Sequence, residues 1–96
     1  MGKYSLNKTP ADLLSEVALK VKVLRKEKAL SQFDLSKKSG VSVGSLRRFE
    51  QTGQISFESL LKILHVLNRL KEIEGILELD DEDRSVESLF SEKTRG

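Results

Sequence analysis

Residues 30–50 read LSQFDLSKKSGVSVGSLRRFE, and this stretch decides the fold. It predicts two short helices joined by a tight turn at Gly40, because glycine adopts a left-handed backbone without steric cost. Ser31, followed by Asp34 at the third helical position, is typical of a helix start, and Ser42 can cap the next helix. Apolar spacing places four side chains inside the pair: Leu35, Val41, Leu46 and Phe49. The stretch therefore predicts two helices that pack through one apolar face.

The outer face of the second helix is small and basic. It carries Ser42, Val43, Gly44, Arg47 and Arg48. An exposed helix that starts with small side chains and continues with arginines suits the major groove of DNA. We therefore expect this face to bind double-stranded DNA.

Charge is divided unevenly along the chain, although the formal net charge of its 96 residues is only +2. Residues 20–48 hold nine basic and two acidic side chains, a net charge of +7. Residues 71–96 hold four basic and nine acidic side chains, a net charge of −5. A basic surface attracts phosphate and an acidic one is repelled by it. We expect the first region to face DNA and the acidic tail to face away.

The composition argues against several kinds of site. The chain has no cysteine and a single histidine, His65, so neither a disulfide framework nor a zinc site fits. No nucleophile has an evident base beside it, and the acidic residues 80–83 lack the spacing of a calcium loop. No apolar run approaches the roughly 20 residues of a membrane span. We predict a cytoplasmic protein that is not an enzyme, binds no metal or cofactor and does not associate with a membrane.

Helical patterns cover most of the remaining chain. Thr9-Pro10-Ala11-Asp12 is a capped helix start, and helix one is predicted to run to about Lys28. Its expected apolar stripe is Leu13, Leu14, Val17, Val21 and Leu24. Helix four is expected to follow Ser56 and to end at a left-handed Asn68, and a fifth helix is predicted from Arg69 to Leu77.

Helix four is apolar on two faces. One face, which we expect to be buried, consists of Phe57, Leu60, Leu61, Leu64 and Leu67. The other face, with helix five, supplies more apolar side chains than one small core can cover: Ile63, Val66, Leu70, Ile73 and Ile76. We predict that these five side chains form the interface of a homodimer.

The chain is expected to divide into three parts. Residues 1–8 lack periodicity and are expected to be flexible. Residues 9–79 are predicted to form one all-α DNA-binding domain, with its motif at residues 31–51. Residues 80–96 are an acidic tail, in which a short helix starting at Ser85 is predicted.

Two segments resemble a known family. They are LRKEKALSQFDLSKKSGVS at residues 24–42 and ISFESLLKIL at residues 55–64. Both are similar to the Cro and lambda-repressor type of helix-turn-helix regulator, the xenobiotic-response-element (XRE) family. The resemblance runs from about residue 17 to residue 70 and implies a five-helix, lambda-repressor-like domain. Ala29 replaces the glycine that usually ends helix one, and Ser36 replaces the usual alanine; both are small enough for the fold.

The resemblance also implies which residues read bases. Val43 and Gly44 match the first base-reading positions, where family members often have glutamine or another polar residue, and Arg48 follows one turn later. Val43 is expected to touch a thymine methyl group, while Gly44 lets the helix lie deep in the groove. Base discrimination then rests mainly on Arg47 and Arg48, most naturally on guanine.

Phosphate contacts are expected from other positions. Gln32 matches the family position that donates to a phosphate from the start of helix two. Weaker candidates are Ser31, Ser45 and Gln54. Lys37 and Lys38 either contact the phosphate backbone or form an ordinary solvated face of helix two. By the same resemblance, Arg25 is structural and pairs with Glu50 through two parallel hydrogen bonds.

These features predict a sequence-specific transcriptional regulator, a repressor that binds a palindromic operator as a homodimer. One recognition helix makes too few contacts with DNA for strong specificity. Two copies that read half-sites one turn apart would double these contacts. Within the same class, residues 53–77 and the tail motif at residues 84–89 look similar to antitoxins that partner HipA-type kinase toxins. The alternative from another class is a protein-interaction module of the same fold, because Val43 and Gly44 lack polar base-reading groups.

Overall fold

The structure is a computed structural model that describes residues 8–77 and residue 79. All regular structure in this part of the chain is helical, so the predicted all-α class is confirmed. The helices are α1 (Pro10–Glu27), α2 (Gln32–Ser39), α3 (Val43–Thr52), α4 (Phe57–Val66) and α5 (Lys71–Glu74). The predictions for residues 1–7 and for the tail, including its helix from Ser85, lie outside the described residues.

Each of the first four helices begins at a hydroxyl side chain. The Thr9 Oγ1 accepts the Asp12 amide at 3.1 Å while the Asp12 carboxylate accepts the Thr9 amide, and Ser31 is paired in the same way with the aspartate of α2. Ser42 and Ser56 accept the amides three residues later in α3 and α4. Such caps are worth about 0.5–2 kcal/mol each, and they fix the first residue of each helix.

Four residues with positive φ angles end the first four helices. Gly40 (φ +83°) follows α2, as predicted, and Gly53 (φ +82°) follows α3. Ala29 (φ +58°) and Asn68 (φ +65°) do the same after α1 and α4, although both carry a Cβ atom. Ala29 therefore keeps the left-handed conformation at the position where the family usually has glycine, which costs about 1–2 kcal/mol.

The core lies between the first four helices. Helix α1 packs on α3, and α2 packs on both α3 and α4. The core residues are Ala18, Val21, Leu35, Val41, Leu46, Phe49, Ile63, Leu64 and Leu67. All four apolar side chains that were predicted to lie inside the α2–α3 pair are among them. This packing fixes the inner side of α3 and leaves its outer side to solvent.

The predicted apolar stripe of α1 coincides with the core only in part. Leu13, Leu14 and Val17 are 47%, 46% and 38% exposed, whereas Val21 is buried. Ala18, which the stripe did not include, takes an inner position on α1. Helix α3 packs on α1, whereas Leu13, Leu14 and Val17 line an open groove that faces solvent.

The prediction that Phe57 is buried was wrong, since its side chain is 59% exposed. Phe57 is the first residue of α4, and it lies on an open groove between α1 and α4. Leu13, Leu14, Val17 and Leu60 line the same groove. The molecule thus has an apolar face that the sequence pattern had assigned to its interior.

Helix α5 is shorter than predicted. It spans four residues, Lys71–Glu74, and does not continue over the whole range 69–77. Leu70 at its start provides no side-chain cap, and Gly75 follows its last residue, so neither end supports a longer helix. Ile76, beyond this end, is 61% exposed.

Candidate nucleic-acid interface

Helix α3 presents the predicted DNA-binding face to solvent. Leu46 and Phe49 are buried, and they fix which side of α3 faces the core. Arg47 and Arg48 are exposed, as is Gly44 one turn before Arg48. The helix therefore carries two cations away from its packed side, where an incoming polyanion can reach them.

Small residues form the first turn of α3. The Ser42 Oγ accepts the Ser45 amide at 3.1 Å and donates to the Ser45 Oγ at 3.0 Å, and both serines are exposed. Val43 is half-buried. A Cβ atom built on Gly44 would meet only the Ser42 Oγ, at 4.0 Å. Packing inside the chain does not require glycine at this position, so its small size leaves room for what approaches from outside.

A closed set of hydrogen bonds holds Arg48 beside the loop that follows α3. The Arg48 Nη2 donates to the Gln54 Oε1 at 2.6 Å. The Thr52 Oγ1 donates to the Arg48 carbonyl at 2.8 Å and accepts the Gln54 amide at 3.1 Å. Gly53, between Thr52 and Gln54, reverses the chain direction with its positive φ angle. The side chain of an exposed arginine is therefore tied to the end of its own helix.

Arg48 and Gln54 also line an open polar pocket between α3 and the start of α4. The other lining residues are Ser45, Ile55, Ser56 and Ser59. The pocket brings together three predicted DNA-binding residues, Ser45, Arg48 and Gln54. Sequence reasoning did not find Ser56 and Ser59 here, because serine in a first helical turn is usual for capping and the pocket depends on the path of the loop.

The predicted pair of Arg25 and Glu50 is confirmed. The Arg25 Nε and Nη2 donate to the two carboxylate oxygens of Glu50, at 2.7 and 3.0 Å. The Arg25 Nη1 donates to the Leu30 carbonyl at 2.8 Å. Arg25 is only 7% exposed, so it joins α1, α3 and the segment before α2 from inside the molecule. It is a structural residue, despite its place in the basic part of the chain.

Gln32, the predicted phosphate contact, is half-buried, and its Nε2 donates to the Glu50 Oε1 at 2.9 Å. No local sequence pattern predicts this bond, because it joins residues 18 positions apart. A side-chain amide carries two N–H groups, so the second one can still donate to a phosphate oxygen. Gln32 lies at the start of α2 as predicted, and Glu50 sets its orientation.

The charge of Glu50 results from two opposing effects. Burial raises the pKa of its carboxyl group, whereas the hydrogen bonds from Arg25 and Gln32 and the charges of Arg25 and Lys22 lower it. Pairing outweighs burial, and the pKa of Glu50 lies below its ordinary value of 4.5. The carboxylate is therefore ionised at neutral pH, and the pair with Arg25 is a charged one.

Two further predicted phosphate contacts, Ser31 and Lys38, are exposed at the two ends of α2. The Ser31 hydroxyl is the helix cap, since it accepts the Asp34 amide. Lys37, beside Lys38, lies 5.6 Å from the ring centre of Phe33, which is a cation–π distance. The structure does not place Ser31, Lys37 or Lys38 in the polar pocket.

The five predicted dimer residues differ in exposure. Ile63 is 0% exposed and belongs to the core, so its assignment to an interface was wrong. It is covered because α4 packs on α2. Val66, Leu70 and Ile73 are half-buried and pack against the core, and Ile76 is exposed.

A comparison with known protein families agrees with this geometry. A family profile described as helix-turn-helix matches residues 21–73, more than half of the chain. The chain belongs to the helix-turn-helix family of the Cro and lambda-repressor type. No curated protein and no solved structure matches it. The family predicted from residues 24–42 and 55–64 is thereby confirmed.

The helix-turn-helix domain makes the chain a DNA-binding regulator of a family that is typically not enzymatic. The matched range contains α2, α3 and α4, and with them both hydrogen-bond networks around Arg48 and Glu50. Among the described residues, no helix is both long enough and apolar enough to cross a membrane. The same part of the chain has no group of three or more His, Cys, Asp or Glu side chains placed to hold a metal ion.

Proposed function

We propose that this helix-turn-helix protein is a transcriptional repressor that binds a palindromic operator as a homodimer. The observation that carries the proposal is the outer face of α3, where Arg47 and Arg48 are exposed and the opposite side is buried. The net charge of +7 over residues 20–48 adds an attraction for the phosphate backbone.

In this proposal α3 lies in the major groove and its arginines read bases. Arg47 and Arg48 each offer a planar guanidinium group that matches O6 and N7 of guanine. Gly44 allows a close approach, because no Cβ atom projects from it, and the half-buried Val43 offers methyl groups to a thymine. Specificity then depends more on the arginines than on the first turn of the helix.

Residues around α3 are proposed to contact phosphates. Gln32 would donate its second amide N–H group, and Lys38 would supply positive charge. The hydroxyls of Ser31, Ser42 and Ser45 and the amide of Gln54 would contribute less. These contacts place the protein on the duplex without reading its sequence.

Selection from duplexes randomised over roughly 20 base pairs tests this proposal, since two half-sites one turn apart fit within that length. We expect a palindromic consensus that contains guanine. Arg48→Ala should cost about 1–3 kcal/mol on the selected site and relax the preference at one base pair of each half-site. Gln32→Ala should weaken binding to selected and random duplexes alike.

A salt titration separates DNA binding from the protein-interaction alternative. The logarithm of the affinity for a random duplex should fall linearly with the logarithm of the salt concentration, because phosphate contacts release counterions. A pool that stays random after selection, together with no salt-dependent binding, would contradict the proposal and favour an interaction module without DNA.

We propose that the homodimer forms through Val66 in α4, Leu70 just before α5, Ile73 in α5 and Ile76 beyond its end. Ile76→Asp is the direct test, because Ile76 is exposed, whereas Ile73 packs against the core. We expect the wild type to sediment as a dimer at micromolar concentration and Ile76→Asp as a folded monomer with weaker operator binding. A wild type that stays monomeric even on a duplex with two half-sites would contradict the dimer.

A role as the antitoxin of a toxin–antitoxin pair is the second proposal. The open groove between α1 and α4 favours a protein partner, because Leu13, Leu14 and Phe57 expose apolar side chains there. Residues 53–77 also resemble antitoxins that partner HipA-type kinases. Co-purification with the product of a neighbouring kinase-like gene, lost in Phe57→Asp, would support this role. A neighbouring kinase that never co-purifies would count against it.

A further inference from the structure

Two adjacent arginines on α3 are held differently. Arg47 and Arg48 are both exposed, but of these two arginines only Arg48 forms a side-chain hydrogen bond to another described residue. Its partner is Gln54, which lies beyond the end of the helix. The two arginines therefore meet DNA with different freedom, although they are neighbours in the sequence.

The bond to Gln54 leaves Arg48 able to read a base. A guanidinium group has five N–H donors, and one of them is used by the Gln54 Oε1 at 2.6 Å. Four donors remain, which is enough for the O6 and N7 acceptors of guanine. The bond restricts the orientation of Arg48 without consuming its capacity to bind.

The backbone on the Gln54 side of this bond is itself fixed. The Thr52 hydroxyl bridges the Arg48 carbonyl and the Gln54 amide. Gly53 passes so close to α1 that a Cβ atom on it would lie 2.8 Å from the Leu14 backbone. The loop therefore rests directly against α1, and Gln54 is anchored on a packed part of the fold.

We propose that Gln54 is a positioning residue that holds Arg48 in the orientation that reads guanine. The inference rests on the proposed function, in which Arg48 contacts a base. A long side chain loses conformational freedom when it binds, and Arg48 loses less because Gln54 already restricts it. The benefit appears only on a duplex whose guanine meets the held orientation. Gln54 thus raises sequence discrimination without touching a base.

The test measures discrimination, defined as the ratio of affinities for the selected duplex and for a duplex with the guanine pair of each half-site replaced. Gln54→Ala should lower this ratio about three- to tenfold, the range expected for ordering one long side chain. Gln54→Glu keeps an acceptor for Arg48, so its ratio should return to the wild-type value. Its negative charge should lower the affinity for both duplexes. Adding Gln54→Ala to Arg48→Ala should lower the ratio no further.

Ser59→Ala is the matched control. Ser59 lines the same pocket, but its side chain makes no hydrogen bond to Arg48 in the described structure. This variant should leave the ratio unchanged. Thermal melting of each variant shows whether the fold is intact. If Gln54→Ala unfolds, Gln54→Glu becomes the decisive variant. A ratio for Gln54→Glu that falls below the wild-type ratio would then contradict the inference.

Failure of the inference can be told apart from failure of the proposed function. If Arg48→Ala abolishes discrimination and Gln54→Ala leaves it unchanged, Gln54 does not position Arg48, and the proposed function stands. If both variants lower the affinity for all duplexes equally, Arg48 binds phosphate and the inference is wrong. If the wild type itself shows no base preference, sequence-specific binding fails and the inference fails with it.

Discussion

The α2–α3 pair and the groove between α1 and α4 follow the same rules of helix patterning with different results. In the pair, the apolar positions that were predicted to be buried are buried, and the turn at Gly40 has the predicted left-handed backbone. On the other side, Leu14 and Phe57 were patterned just as clearly and are exposed. A periodic apolar face shows which side of a helix can pack, but it does not show whether a neighbour covers that side.

The two regions also differ in what anchors them. The pair is tied to α1 by the buried ion pair of Arg25 and Glu50, which Gln32 joins through its amide. The groove side has apolar contacts on α1 and α4 and a large exposed aromatic ring, Phe57. Substitutions should therefore have large effects near the ion pair and small ones at the exposed side chains of the groove.

The largest effect is expected from Arg25→Ala. It removes the partner of Glu50 and leaves a poorly solvated carboxylate, so the free energy of unfolding should fall by about 3–5 kcal/mol. Denaturant unfolding measures this change. Lys26→Ala is the control, because it removes a neighbouring positive charge that is exposed and should change stability by less than about 0.5 kcal/mol.

A double-mutant cycle with Glu50→Ala shows whether the pair accounts for the loss. The two single changes should not add, because each removes the same interaction. Additive losses would mean that the two side chains act independently, and the anchoring of the α2–α3 pair would then need another explanation.

Two phenylalanines test the comparison directly. Phe49→Ala should cost about 3–5 kcal/mol, because it leaves a cavity in the core, where Phe49 is 1% exposed. Phe57→Ala should cost about 1 kcal/mol or less, because more than half of that side chain already faces solvent. Thermal or chemical unfolding of both variants decides the matter. Equal losses would show that the groove is covered in solution.

Two glycines give a narrower test. Gly53→Ala should cost about 2–5 kcal/mol, since a left-handed alanine costs about 1–2 kcal/mol and the clash with the Leu14 backbone adds about 1–3 kcal/mol. Gly40→Ala should show only the cost of the left-handed backbone, because a Cβ atom there meets nothing within 4 Å. If both variants lose the same stability, the contact between α1 and the end of α3 is looser than it is in the structure.

The smallest expected effect is on acid stability. The pKa of Glu50 is lowered in the folded protein, so its contribution to stability is complete above the ordinary value of 4.5 and is lost as the pH falls through the folded value. The difference in unfolding free energy between the wild type and Glu50→Gln should therefore shrink on acidification below about pH 4.5. A difference that stays constant through this range would show that folding does not change the pKa of Glu50.

The sequence by itself determined the features that depend on residues close together in the chain. A hydroxyl group caps an amide three residues away, and glycine has its conformational freedom wherever it occurs, so Ser31, Gly40 and Ser42 could be assigned. The outer face of α3 followed in the same way, because its apolar residues mark the inner side. The Arg25–Glu50 pair spans 25 positions, and it was predicted from the family resemblance and not from a local pattern.

Only the tertiary structure decided which long-range neighbours meet. The bond from Gln32 to Glu50, the place of Ser56 and Ser59 beside Arg48, and the burial of Ile63 all depend on how separate helices pack. The exposure of the α1–α4 groove has the same origin. Periodicity gives each helix a direction, whereas the position of one helix against another is set by the shape of the whole core, and no local pattern encodes that shape.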